Sequence, residues 1–186
     1  MSVYASMMDR LDLKVHSPDR NIRARLTDRT RLELSFVPES YRSYADGSLA
    51  HQVAAVARLL WVGRRRASLI ARKEALGESS AAAYEEPRSP EQREFFERRA
   101  RIEATGESDN GWVTVATVGW THWDVTLAPR TVRTLHEVQF CREVESAFPR
   151  LLADYRAENA ALLDALHRKT RPEYFDHPAR RRAPRR

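Results

Sequence analysis

The 186-residue sequence predicts an α+β fold of two tandem units, each a three-stranded antiparallel meander followed by a long helix. Three observations carry that expectation. Short stretches alternate apolar and polar residues, the period of a half-buried strand. Each set of such stretches ends at a proline and gives way to a long helical period. The chain also resembles itself when it is shifted by 91 residues.

In the first unit, Leu11, Leu13 and Val15 alternate with Asp12, Lys14 and His16. Turn residues Ser17-Pro18-Asp19-Arg20 follow. Ile22, Ala24 and Leu26 alternate with Arg23, Arg25 and Thr27; after Asp28-Arg29, Leu32, Leu34 and Phe36 alternate with Glu33 and Ser35 until Pro38. Three strands joined by tight turns form an antiparallel meander. From Ser48, a plausible N-cap, Leu49, Val53, Val56, Leu60, Gly63 and Ala67 lie near one helix face. Residues 2–10 form at most a reduced leading helix.

The second unit is clearer. Ser89-Pro90-Glu91-Gln92 has the form of a capping box with proline at the first helical position, so a helix starts there and runs to about Glu103. Strands are expected at Ile102–Glu107, Trp112–Val118 and Thr121–Leu127, with turns at Ser108–Gly111 and Gly119. Phe140, Val144, Ala147, Leu151, Tyr155, Leu162 and Leu166 then mark a long helix, in which Pro149 predicts a kink or break near Phe148. The expected organisation is a first unit at 1–76, a linker at 77–89, a second unit at 90–169 and a disordered basic tail at 170–186.

Under the shift of 91, Ile22 falls on Val113, Ala24 on Val115, Leu34 on Val125, Phe36 on Leu127 and Pro38 on Pro129. Arg42 falls on Arg133, Leu49 on Phe140, Val53 on Val144 and Leu60 on Leu151. Identities are few, but apolar character and the strand-ending proline coincide.

The stretch from Arg101 to Pro129, with ATGES, a turn at Asn110-Gly111, WVTVATVG and VTLAP, resembles the YbaB/EbfC family of nucleoid-associated proteins. The resemblance covers about 92–166 well and 11–73 loosely. It implies a homodimer that binds DNA with little sequence preference, and a tandem copy would form that pair within one chain, as a pseudo-dimer, or as a swapped homodimer. It departs from the family where the first copy has Asp28-Arg29 in place of a turn glycine. Some relatives in arginine-rich actinobacterial genomes accompany type VII secretion loci, so the resemblance also implies an alternative: a protein–protein adaptor or chaperone-like accessory factor without specific DNA binding.

The net charge is +6, with 42% hydrophobic and 31% charged residues. A basic balance is compatible with a polyanion partner. Lys14, Lys73 and Lys169 are the only lysines. Arginine suits bidentate phosphate contacts, although a coding bias explains the same imbalance. Residues 1–76 hold 14 Lys/Arg against 8 Asp/Glu, and residues 111–165 hold 5 against 7. The copy that carries the family pattern is therefore slightly acidic. Counterion release needs local positive potential. The candidate DNA contacts are thus Arg64, Arg65, Arg66, Arg72 and Lys73 on the first long helix, with Arg180, Arg181, Arg182, Arg185 and Arg186 in the tail. Arg98, Arg99 and Arg101 join them because the family uses the leading helix, though Glu91, Glu94, Glu97 and Glu103 surround them. Double-stranded DNA, bound non-specifically, is the expected partner, and a protein partner is the alternative.

No enzyme is expected. His16, His51, His122, His136, His167 and His177 form no metal-ligand pair, and no nucleophile elbow, phosphate loop or dinucleotide fingerprint is present. No catalytic residue, metal or cofactor is assigned. Cys141 reads as a buried helix residue, and one cysteine allows no intrachain disulfide. Trp112 and Trp120 share a strand parity opposite to Val113 and Val115, which predicts an aromatic interface patch on the outer sheet face. With no secretory leader pattern and no long apolar run, the expected location is the cytoplasm, on the nucleoid, away from membranes.

Overall fold

The computed structural model describes residues 2–77 and 89–170; the linker at 78–88 and the tail from 171, with its five candidate arginines, lie outside the described residues. Helix α1 (Val3–Asp9) precedes strands β1 (Asp12–His16), β2 (Ile22–Thr27) and β3 (Arg31–Phe36), a 3-10 turn at Tyr41–Ser43, and helix α2 (Asp46–Leu76). Helix α3 (Pro90–Arg99), strands β4 (Glu103–Glu107), β5 (Val113–Val118) and β6 (His122–Leu127), short helix α4 (Thr131–Thr134) and long helix α5 (Glu137–Thr170) follow. The fold is α+β, with two three-stranded antiparallel sheets ordered β1-β2-β3 and β4-β5-β6.

Both sheets obey the alternation seen in the sequence. Ile22, Ala24 and Leu26 are buried while Arg23 and Arg25 face solvent, and Val113 and Val115 are likewise buried. The two sheets share one register. Ile22 pairs with Phe36 and Val113 with Leu127; Asp12 pairs with Thr27 and Glu103 with Val118. Left-handed backbone recurs at the same shift: Arg20 and Gly111, Asp28 and Gly119, Arg29 and Trp120, Glu39 and Arg130. So does a buried serine that closes the first hairpin. The Ser17 Oγ accepts the Ile22 N–H at 2.9 Å, and the Ser108 Oγ accepts the Val113 N–H at 3.0 Å.

The helices bridge the sheets. Helix α2 packs on β1 of its own sheet and on β6 of the other; α5 packs on β4 of its own sheet and on β3 of the other. Edge strands leave backbone N–H groups that need acceptors, and side chains of α5 supply them. The Leu34 N–H donates to Glu145 (2.9 Å), the Thr105 N–H to Asp154 (2.8 Å) and the Asp109 N–H to Ser146 (3.1 Å). At the helix starts, the Asp46 carboxylate accepts the N–H groups of Arg130 (2.7 Å) and Val132 (2.9 Å).

Apolar side chains from both halves form one core, with Ile22, Leu26, Leu49, Val113, Phe140 and Leu151 almost fully buried. Gly106 explains how closely α5 approaches β4. A Cβ placed there would stand 2.2 Å from the Ala147 carbonyl oxygen and 2.5 Å from the Leu151 nitrogen. Those atoms flank Pro149, and α5 runs through that proline unbroken. The expected break is absent because Ala147 and Leu151 are both fully buried, so packing on both sides outweighs the one lost backbone bond. Ser48 is not the N-cap of α2. The helix begins at Asp46 after Ala45, and Ser48 reaches back from the third position to accept the Ala45 N–H at 3.1 Å. Ser89 does cap α3, its Oγ accepting the Gln92 N–H at 3.2 Å.

Candidate nucleic-acid interface

Helix α2 is 31 residues long, which at 1.5 Å per residue makes it about 46 Å. Its first half supplies core residues; its second half carries Arg64, Arg65, Arg66, Arg72 and Lys73. Consecutive arginines point in different directions round a helix, and they meet different fates. Arg65 and Arg66 are exposed, as is Lys73. Arg64 turns inward and lies over the Trp61 ring, its guanidinium carbon 5.7 Å from the centroid. Its Nε is buried without a hydrogen-bond partner. Burial, and then the like charges of Arg156 and Arg29, push the Arg64 pKa below its ordinary value, although Tyr4 opposes this. The guanidinium stays charged, held where the two halves meet. Arg72 is half-buried over the Tyr4 ring of α1 (5.9 Å), and the Tyr4 hydroxyl is 3.1 Å from the Ser68 hydroxyl. Arg72 thus helps to seat α2 against α1 and Arg64 covers the Trp61 ring of its own helix, whereas Arg65, Arg66 and Lys73 reach solvent.

On α3, Arg98 lies 3.9 Å from Glu94. The Arg99 Nε donates to the Tyr155 hydroxyl at 3.4 Å, and Arg101 is exposed after the helix end. Arg98 and Arg99 sit on the helix that packs along α5, and Arg101 follows it.

The tryptophans are placed differently from the sequence expectation. Trp120 is not on a strand. It occupies the β5–β6 turn in a left-handed conformation (φ 63°) and is buried. Strand parity therefore does not apply to it, and no exposed patch with Trp112 forms. Trp112 precedes β5 and is half-buried against the core. The Trp120 indole stacks on Trp61 of α2 at 4.4 Å and contacts Tyr155 of α5 at 4.5 Å and Trp123 at 5.4 Å. It is an interface residue inside one chain, joining the second sheet to both long helices.

Cys141 is buried, and burial pushes its thiol up to about 12. No group of three or more His, Cys, Asp or Glu side chains among the described residues is placed to hold a metal ion. No helix among them is long and apolar enough to cross a membrane. Sequence reasoning missed two features. One is the electrostatic influence of Arg29 and Arg156 on Arg64, which depends on long-range packing. The other is a set of exposed apolar residues on α2, Leu59, Val62, Ile70 and Leu76, which lie off the core face that the helical period marks.

The chain matches no family model, no curated protein and no solved structure.

Proposed function

We propose that the protein is a sequence-tolerant binder of duplex DNA on the nucleoid, built as an intrachain pseudo-dimer of two YbaB/EbfC-like units. The supporting observation is the repeat of strand ends, register and left-handed residues at one constant shift, together with the exchange of helices between the halves. Each unit's long helix packs on the third strand of the other unit, as would be expected if a paired assembly had been joined into one chain. The resemblance of Arg101–Pro129 to nucleoid proteins supplies the DNA expectation, and the charge distribution supports a site on α2.

In this reading Arg65, Arg66 and Lys73 contact phosphates along one backbone. Such contacts position a protein without reading bases, and affinity comes from counterion release. Arg72 orients the helix that presents them. Arg98, Arg99 and Arg101 make a weaker contribution because of their acidic neighbours. The basic tail adds non-specific attraction.

Removing residues 171–186 and repeating a titration with two duplexes of equal length and unrelated sequence tests the assignment. The truncated protein is expected to bind both duplexes alike, with steep loss on added salt. Complete loss of binding would move the DNA contact to the tail and overturn the site on α2.

A further inference from the structure

Under the shift of 91, positions 29 and 64 correspond to positions 120 and 155. In the second half those positions hold Trp120 and Tyr155, both buried, with ring centroids 4.5 Å apart. In the first half they hold two arginines. Arg29 takes the same left-handed turn conformation as Trp120, φ 69° against 63°, and its charge acts on Arg64. An aromatic pair in one half is thus an arginine pair in the other.

The exchange opposes folding unless something balances it. Rings at these positions bury one another with few polar atoms to satisfy. Guanidinium groups repel one another and take N–H donors out of water. The Nε atoms of Arg29 and Arg64 are both buried without a hydrogen-bond partner. Arg29 is held by α1: its Nε stands 2.9 Å from an Asp9 carboxylate oxygen, and its Nη2 donates to the Ala5 carbonyl at 2.8 Å. Arg64 lies over the Trp61 ring. From the second half, exposed Arg156 of α5 adds a third cation that acts on Arg64. Among the described residues no carboxylate pairs with Arg64 or Arg156. Asp9 offsets one of the three charges, and two remain.

We propose that Arg29, Arg64 and Arg156 form a site between the two halves for one tetrahedral dianion, either inorganic phosphate or the terminal group of a phosphate monoester. Guanidinium groups present paired N–H donors that match phosphate oxygens, and a dianion equals the two positive charges left over. A single carboxylate would leave one of them unmatched. The three arginines come from the β2–β3 turn, α2 and α5, so only the folded chain brings them to bear on one ligand. Binding therefore stabilises the junction. The site does not rest on the DNA reading, because Arg65, Arg66 and Lys73 are not part of it.

The test titrates the full chain with sodium phosphate at slightly alkaline pH, with sodium chloride at matched ionic strength as control. Tryptophan fluorescence, to which Trp61 beneath Arg64 contributes, and the thermal midpoint are read together. Phosphate is expected to change the fluorescence saturably and to raise the midpoint beyond the effect of chloride. Arg64→Met keeps a side chain over Trp61, and Arg156→Gln alters an exposed position. Each is expected to weaken phosphate binding by about tenfold while retaining the circular dichroism spectrum. Should Arg64→Met not fold, Arg156→Gln decides alone. Equal responses to phosphate and chloride, or unchanged phosphate affinity in a variant that folds, would overturn the proposal. A second arm titrates duplex DNA with and without saturating phosphate, again at matched ionic strength. Unaltered DNA affinity assigns the site to a small phosphate, and a loss that Arg156→Gln reproduces assigns it to a nucleic-acid phosphate. Absence of any DNA binding would sink the DNA reading and leave the phosphate site standing.

Discussion

The indole of Trp61, on the helix of the first half, lies stacked on that of Trp120, in a turn of the second half. Their centroids are 4.4 Å apart and their planes 13° from parallel. Tyr155 closes on Trp120 from the other long helix. One aromatic cluster thus ties three elements from both halves together, and the halves are expected to unfold as one cooperative unit. Trp120→Ala should destabilise the protein by about 3–5 kcal/mol. On that background Trp61→Ala should cost less than it does alone, by about 1 kcal/mol. Denaturant unfolding of the two single variants and the double variant measures this coupling; additive losses would show that the stack contributes nothing of its own.

Two glycines give opposite expectations. A Cβ at Gly106 meets backbone atoms of α5 at 2.2 and 2.5 Å, which neither element can yield without separating. Gly106→Ala should lower the unfolding free energy by about 3 kcal/mol. A Cβ at Gly63 meets the Leu13 side chain at an ordinary 3.5 Å. Because alanine favours the helix, Gly63→Ala should raise stability by up to about 1 kcal/mol. Equilibrium unfolding of both variants checks the pair.

Acid should weaken the turns that close the two hairpins. Burial alone would raise the Glu143 pKa, but hydrogen bonds from Ser108 and Asn110 outweigh it and hold the carboxyl below its ordinary value. The Asn110 side chain donates to Glu143 at 2.6 Å. Asp19 is lowered in the same way: burial opposes, and bonds from Ser17, Tyr44 and the Asn21 N–H prevail. A carboxyl with a depressed folded pKa stabilises above its unfolded pKa, and that contribution disappears as pH falls through the folded pKa. Stability should therefore decline from about pH 5 towards pH 2. Glu143→Gln should flatten the slope of unfolding free energy against pH over that window. An unchanged slope would refute the assignment.

The Cys141 thiol should be inert in the native protein, since it is buried and its pKa is pushed up to about 12. A disulfide reagent at neutral pH is expected to label it only after unfolding, so the labelling rate reports opening of the start of α5. Immediate labelling of the folded protein would contradict this burial.

The strands and their order were legible because local alternation is set by one buried face, visible in Ile22, Ala24 and Leu26. The proline after each third strand was legible for the same local reason. Which helix crosses to which sheet was not, because the contacts of α2 with β6 and of α5 with β3 join residues far apart in sequence. Parity misplaced Trp120 because it treats every residue as strand, and Trp120 takes a left-handed turn conformation usually left to glycine or asparagine. The three consecutive arginines could not be ranked from sequence. Arg64 differs from Arg65 and Arg66 because Trp61 lies beneath it.

The proposed DNA binding depends on phosphate contacts from the second half of α2. The decisive measurement is the salt dependence of duplex DNA binding, compared between the full chain and Arg65→Gln/Arg66→Gln/Lys73→Gln, on two unrelated sequences. Equal affinity is expected for both sequences, with a log–log salt slope that falls in magnitude by up to about 3 in the variant, about one per lost contact. Binding with the same slope in both proteins, or no salt-sensitive binding by the full chain, would contradict the proposed contacts.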